Sequence, residues 1–390
     1  MKKPIIIIYL LWMLFVFAVT VKCENLTSNS AALIRQNAEI SSVEAKPLQR
    51  GLFVSVVENE IVLSSRERTN NLIDFAKKAH IQTLFVQIYR ANKAWFPSKV
   101  GDSKPYKICL KKVSEDPFRL LIKEAHASGI EVHAWLNLLS LSQNEKAPLL
   151  GKYGTDILTR NVDKKRKLKD YKIDNQYFLE PGDLRVREEL GKMVEEILRA
   201  YPELDGIQFD YIRYPDSNPH YGYTKMNVKR FQKATGLKTI EENSLIWKNW
   251  RREQVTDLLK LLVQKTRAIR PDIQISTTGC MSYVRAYHEA YQDWPGWLQT
   301  GLVDFVTIMS YPPTLSEFEK YISDARKRVD DFKKVNIGIG AYKLINSPGI
   351  FAEQFQFCEK AGGRSCVVFY YGSLLQNSAL VNPLTGSEDI

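Results

Sequence analysis

The sequence predicts an α/β fold: a single-domain (β/α)8 barrel with long loops after its third and fourth strands. Three observations predict it. Eight short apolar runs alternate with amphipathic stretches from residue 51 onward, the pattern of parallel strands joined by crossover helices. Eight is the number of strands that closes such a barrel. The chain, 390 residues at 44% hydrophobic and 25% charged, has ordinary globular composition. It can supply one large core, since an α/β barrel uses roughly 250 residues or more as a unit.

In chain order, the first strand is GLFVSVV (51–57), followed by the helical stretch RTNNLIDFAKKAH. The second is IQTLFVQIY (81–89), and FRLLIKEAHASG, ending in Gly, leads to the third, IEVHAWLNLL (130–139). VREELGKMVEEILRAY stops before Pro202 and precedes the fourth, LDGIQFDYI (204–212). VTDLLKLLVQKTRAI stops before Pro271 and the fifth, IQISTTG (273–279). The last three strands are VDFVTIMSY (303–311), VNIGIGAY (335–342) and SCVVFYYG (365–372). SEFEKYISDARKRV and FAEQFQFCEKAG lie between them. The Gly and Pro stops sit where helices end. The barrel occupies 51–375, with a C-terminal tail at 376–390. The long segments at about 140–176 and 213–243 fall on the C-terminal face, where binding clefts form.

That geometry separates the acids of LDGIQFDYIRYP. Asp205 and Asp210 are roughly 16 Å apart along an extended strand and on opposite faces, so they are not a catalytic pair. Asp205 opens its strand at the structural end of the barrel, as Asp304 opens the sixth. Asp210 emerges at the C-terminal rim, where an ionisable group is costly unless paired or used. Arg213 is the partner within reach. A glycosidase needs a second carboxyl, about 5 Å away for retention or about 6.5–9.5 Å for inversion. Asp293, set among the aromatics of EAYQDWPGW, is the first choice. Glu180 in QYFLEPGD is the second, with helix capping beside Asp183 as its structural alternative. Glu58, just past the first strand, is the third.

The rim is rich in groups that suit a sugar cleft. Strand ends and loops supply Tyr89, Trp95, Trp135, Tyr211, Tyr214 and Trp294, and further round Trp297, Tyr311, Tyr342, Tyr370 and Tyr371. Aromatic faces cover the apolar faces of sugar rings, while Arg90, Asn92, Asn137, Arg213 and Lys343 can bind hydroxyls or acidic substituents. The five histidines show no ligand spacing, and His133, inside a strand, is expected to be a satisfied core residue. No His/Cys cluster suggests a metal, and nothing calls for a cofactor. Five scattered cysteines are too few for a disulfide scaffold, and Cys358 and Cys366 are expected to be buried thiols.

The N-terminus predicts export. Lys2 and Lys3 precede an apolar run from Ile5 to Val21, so residues 1–23 read as a signal peptide or membrane anchor. A cut after Cys23, acylation of Cys23 and membrane attachment through an uncleaved helix all stay open. Residues 24–50 are a polar linker. The formal net charge is +11, or +8 without Lys2, Lys3 and Lys22. Export argues against nucleic acid as partner despite this charge, part of which lies in KKRKLK (164–169). That run is either a solvated loop or an attraction for anionic envelope polymers. The expected partner is a polysaccharide substrate.

The stretch LDGIQFDYI resembles the chitinase signature Asp-Gly-x-Asp-x-Asp-x-Glu, with Gln208 in place of the middle aspartate and Ile212 in place of the catalytic glutamate. Substrate-assisted chemistry of the chitinase kind is therefore not expected, and a glycan-binding barrel without activity is the alternative to a hydrolase. Over residues 50–375 the chain more closely resembles glycosyl hydrolase-like family ten, barrel proteins of the bacterial envelope. RGLFVSVVE, FVQIYRANKAWFPS, VHAWLNLLS, FLEPGDLRVREEL, DGIQFDYIRYP, WPGWLQTGLVDFVTIMSY and IGIGAYKL carry the resemblance, in that order. It implies a TIM barrel hydrolysing glycosidic bonds, with peptidoglycan glycan strands as a substrate of some members. The family's fourth-strand aspartate falls on Asp210. Many members have a second aspartate next to it, where this chain has Tyr211.

Overall fold

The computed structural model describes residues 48–57, 61–163, 165–216 and 218–386. Its centre is a closed parallel barrel of eight strands. These are β1 (Gln49–Val54), β2 (Thr83–Arg90), β3 (Glu131–Asn137), β4 (Gly206–Asp210), β5 (Gln274–Cys280), β6 (Phe305–Ser310), β7 (Val335–Gly340) and β8 (Ser365–Phe369). Each strand pairs with its neighbours in sequence, and β1 pairs with both β2 and β8, so no edge is left open. All eight expected strands form. Several stop short of their apolar runs because the chain leaves the sheet early: Tyr211, directly after β4, has φ 53°. That left-handed conformation ends the ladder.

The expected helices pack outside, most of them started by a capping side chain. Ser65 caps Arg66–Lys78, Asp116 caps Pro117–His126, Asp183 caps Leu184–Ala200 and Thr314 caps Leu315–Arg326. The long segment after β3 folds over itself, with Ser140–Ser142 pairing antiparallel to Tyr177–Phe178. The segment after β4 contains the helix Lys225–Thr235 and the first turns of Leu245–Ile269.

Inside the barrel, β3 and β4 approach closely at one point. Gly206 lies under the His133 ring, and a Cβ there would come within 2.1 Å of it. His133 is fully buried between Phe85 and Phe305. It is a core residue but not a satisfied one: neither ring nitrogen has a hydrogen-bond partner, and the nearest carboxylate, Glu131, is 3.7 Å away, too far for a hydrogen bond. At the N-terminal end, Asp205 accepts from the backbone N–H of Val132, and Asp304 from that of Ile275, both at 2.7 Å. Each brackets its strand to the neighbouring one.

Cys358 and Cys366 form a disulfide, with Cα atoms 6.0 Å apart, which corrects the expectation of two thiols. The end of the helix Pro348–Lys360 descends directly onto the start of β8, bringing the two cysteines within bridging distance. Cys109 and Cys280 are free and buried. The leader, most of the linker and Glu58 lie outside the described residues, as do Lys164 and the end of the tail. Among the described residues no helix is long and apolar enough to cross a membrane.

Candidate active site

The C-terminal mouth of the barrel opens into a cavity of about 470 Å³, within the usual size range of ligand pockets. Asp210 forms its centre. The carboxylate is 4% exposed and meets three donors: Trp135 Nε1 at 3.0 Å, Thr278 Oγ1 at 2.5 Å and its neighbour's backbone N–H, on Tyr211, at 2.7 Å. Strand periodicity explains the convergence, because Trp135 and Thr278 stand on the flanking strands and point inward with Asp210. Asn137 lies beside Asp210 in register. Its Oδ1 accepts from Gln87 Nε2 at 2.7 Å, and Gln87 Oε1 in turn accepts from Ser55 Oγ and Val56 N. The floor of the cavity is thus a fixed polar network.

Aromatic rings line one side. Tyr311 stacks on Phe369 at 5.4 Å and meets Tyr342 edge-on at 6.0 Å. The sequence IGIGAY makes room for this: a Cβ on Gly340 would sit 2.8 Å from the Tyr311 Cβ. Tyr342 is 39% exposed and lines the cavity.

Charge defines the other side. Arg90, Arg213, Arg285 and Lys343 line the cavity together with two carboxyls, Asp210 and Asp216. Arg213 is nearly buried, stacks over the Tyr211 ring at 4.3 Å and places Nη1 3.9 Å from Asp210, without a hydrogen-bond partner for that atom. Arg213 is therefore close to Asp210 but leaves it to its three donors. Asp216 pairs with Arg285 at 2.8 Å. Cys280 also lines the cavity, its thiol pushed up to about 11 by burial.

The structure does not bring the other expected acids here. Asp293 caps the short helix Trp294–Gln299 through the Gly296 N–H and accepts from the Tyr283 hydroxyl at 2.7 Å. Its neighbour Trp294 is fully buried, so the aromatics around Asp293 are packing, not platform. Glu180 is fully buried and accepts from Thr159, the Gly182 N–H and the Tyr214 hydroxyl. Burial raises its pKa, against the pull of those hydrogen bonds. Tyr214 is consumed by that contact. Tyr89 and Asn92 are buried and bonded to each other at 2.9 Å, and Tyr370 packs on the barrel core. Trp95 lines a neighbouring cavity instead. Trp135, Asn137, Tyr211, Arg213, Tyr311, Tyr342 and Arg90 do line the first one. Sequence reasoning missed Asp216 and Arg285. Their signal was position alone, Asp216 in the loop after β4 and Arg285 on the short helix Tyr283–His288 after β5.

The model of the family described as "Glycosyl hydrolase-like 10" matches residues 49–356. The chain is 24% identical over 297 residues to glycosyl hydrolase DigH of Escherichia coli K12, across 70% of this chain and 65% of that protein. It is 25% identical over 285 residues to glycosyl hydrolase YngK of Bacillus subtilis, across 68% of this chain and 51% of that protein. The match thus spans less than two-thirds of either relative's own length. In fold it is similar to the PgaB (BpsB) glycoside hydrolase domain from Bordetella bronchiseptica, with a TM-score of 0.65 at 15% identity. That likeness covers 88% of this chain and all of that one. It is also similar to α-L-fucosidase isoenzyme 2 from Paenibacillus thiaminolyticus, with a TM-score of 0.60 at 14% identity, over 87% of this chain and 48% of that one. With the family model covering most of its length, the chain belongs to the glycosyl hydrolase-like 10 family.

Proposed function

We propose that the protein is an exported glycoside hydrolase acting on a cell-envelope polysaccharide, the glycan strands of peptidoglycan. The observation that carries this is Asp210: a carboxylate at the mouth of the barrel, fixed by three donors, in a cavity with an aromatic wall and a second carboxyl. All of its partners donate, so its oxygens are held as acceptors, which suits a nucleophile or base facing an anomeric carbon. Asp216, ion-paired with Arg285, is the other carboxyl among the cavity's described residues. The cationic wall suits a polymer bearing acidic substituents, and the Cys358–Cys366 bridge suits an oxidising, exported location. The aromatic wall covers sugar faces.

The test is release of soluble glycan from purified sacculi, with and without peptide stems, by residues 24–390 and by the Asp210→Asn and Asp216→Asn variants. Fragments from the parent, and a loss of about a thousandfold or more in Asp210→Asn, are expected for a residue acting on the reacting atoms. If none of the three proteins releases fragments while all bind the glycan, the protein is a lectin. Ile212, fully buried in the apolar core where a chitinase carries its glutamate, then becomes the explanation.

A further inference from the structure

Beside the Asp210 cavity lies a larger one of about 820 Å³, and Val57 and Arg90 belong to the walls of both. It is formed by the hairpin after β2, the helix Lys104–Val113 and the segment Ser142–Lys146.

Charge, an orphaned donor and backbone geometry point the same way. Arg90, Lys93, Lys112 and Lys146 line the cavity, and none has an ion-pair partner among the described residues. Among the described residues that line it, the one carboxylate, Glu145, is already engaged by the Tyr177 hydroxyl at 2.8 Å and by Lys172 at 3.4 Å. Trp95, only 7% exposed, forms part of the wall, and its indole N–H has no acceptor. A buried donor without a partner is costly. Two wall residues, Ala91 and Ser142, have φ of 54° and 51°, a conformation that non-glycine residues hold only where surrounding contacts impose it. Asn144 Nδ2 supplies one such contact by donating to Ala91 O at 2.8 Å.

We propose that this second cavity is a further saccharide subsite, that the glycan runs from Asp210 across Arg90 into it, and that the unit bound there carries a carboxylate. The proposal rests on the assignment of the Asp210 cavity as a glycan site. A neutral sugar would leave these four cations without an ion-pair partner among the described residues. A carboxylate matches the planar fork of Arg90 and draws on the neighbouring ammonium groups. The indole N–H of Trp95 is left for a sugar oxygen, and the exposed side chains of Val57 and Ile108 for an apolar ring face.

Calorimetric titration of the full chain carrying Asp210→Asn tests this, because bound glycan then survives the measurement. The probes are a peptide-free disaccharide of N-acetylglucosamine and N-acetylmuramic acid, the corresponding hexasaccharide, and neutral chitohexaose. The hexasaccharide should bind about tenfold or more tightly than either other probe, the worth of one charge-assisted contact. Adding Arg90→Gln, or separately the exposed pair Lys93→Ser and Lys146→Ser, should bring that ratio down to about twofold, as should high salt. Equal affinities for the three probes, or a ratio indifferent to both sets of substitutions, overturn the subsite. Because the titration requires no turnover, the two assignments separate. An intact ratio with no release from sacculi by the parent removes the hydrolase reading alone. Release with a flat ratio removes the subsite alone.

Discussion

Asp210 gains its character from residues distant in sequence: Trp135 and Thr278 stand on the strands to either side, and neither is near it in the chain. Removing one donor should disturb the orientation of the carboxylate more than the binding of sugar. Trp135→Phe keeps most of the ring and loses the N–H. Its kcat on solubilised glycan strands should fall about tenfold while KM moves less than about twofold. A rise in KM with kcat unchanged would make Trp135 a sugar platform rather than a positioning residue. Asp210 was legible in the sequence because strand periodicity and a rim position both act on a single residue. Asp216 and Arg285 were not: one lies in a loop, the other on the six-residue helix Tyr283–His288, too short to show a period, and their pairing is a tertiary event. Asp293 misled for a physical reason: Trp294 and Trp297 beside it are aromatic, and nothing local shows that both rings point into the core.

At the scale of elements, the eight strands and the helices between them were readable from alternation and from stop signals. The helix Lys104–Val113 was not: it precedes Pro117–His126, the crossover helix that the alternation of strands and helices already accounts for. The segment after β3 is equally opaque in sequence, yet one buried acid ties it down. Glu180 joins Thr159 of that segment to Tyr214 of the segment after β4, so it couples the first segment to the one whose Tyr211, Arg213 and Asp216 line the Asp210 cavity. Burial raises its pKa above the ordinary carboxylate value. The unfolded chain therefore releases this proton first, so the group's contribution to stability is complete below the unfolded pKa and is lost as pH rises through the folded one. Glu180→Gln has no proton to lose. From about pH 5 to about pH 8, the thermal midpoint of the parent should fall relative to that of the variant. Parallel midpoint curves, or a parent that gains on the variant with rising pH, would mean that Glu180 is ionised in the folded protein.

For the whole molecule, the requirement is closure. A parallel barrel is complete only when its last strand pairs with its first, and here β8 joins β1 through Gln49↔Ser365 to Leu52↔Val368. Two further ties act at this seam. Arg50, on β1, donates to Ala79 O and Leu384 O and pairs with Glu359 at 2.7 Å, holding the start of the barrel to its last helix and to the C-terminal turns. The Cys358–Cys366 bridge fastens that same helix to β8, across a separation of eight residues. The sequence showed eight strands and thereby the barrel, but not the bridge, because cysteine spacing does not specify the descent of a helix onto the next strand. A loop this short removes modest entropy from the unfolded chain, so the double substitution Cys358→Ser and Cys366→Ser should cost about 2–3 kcal/mol. Urea unfolding should show it as a lower midpoint with the slope nearly unchanged, and the parent under strong reductant should approach the variant. Neither cysteine lines either cavity, so glycan binding at low urea should persist in the oxidised parent and the variant alike. Coincident midpoints for oxidised parent, reduced parent and variant would show that strand pairing and Arg50 hold the seam without the bridge.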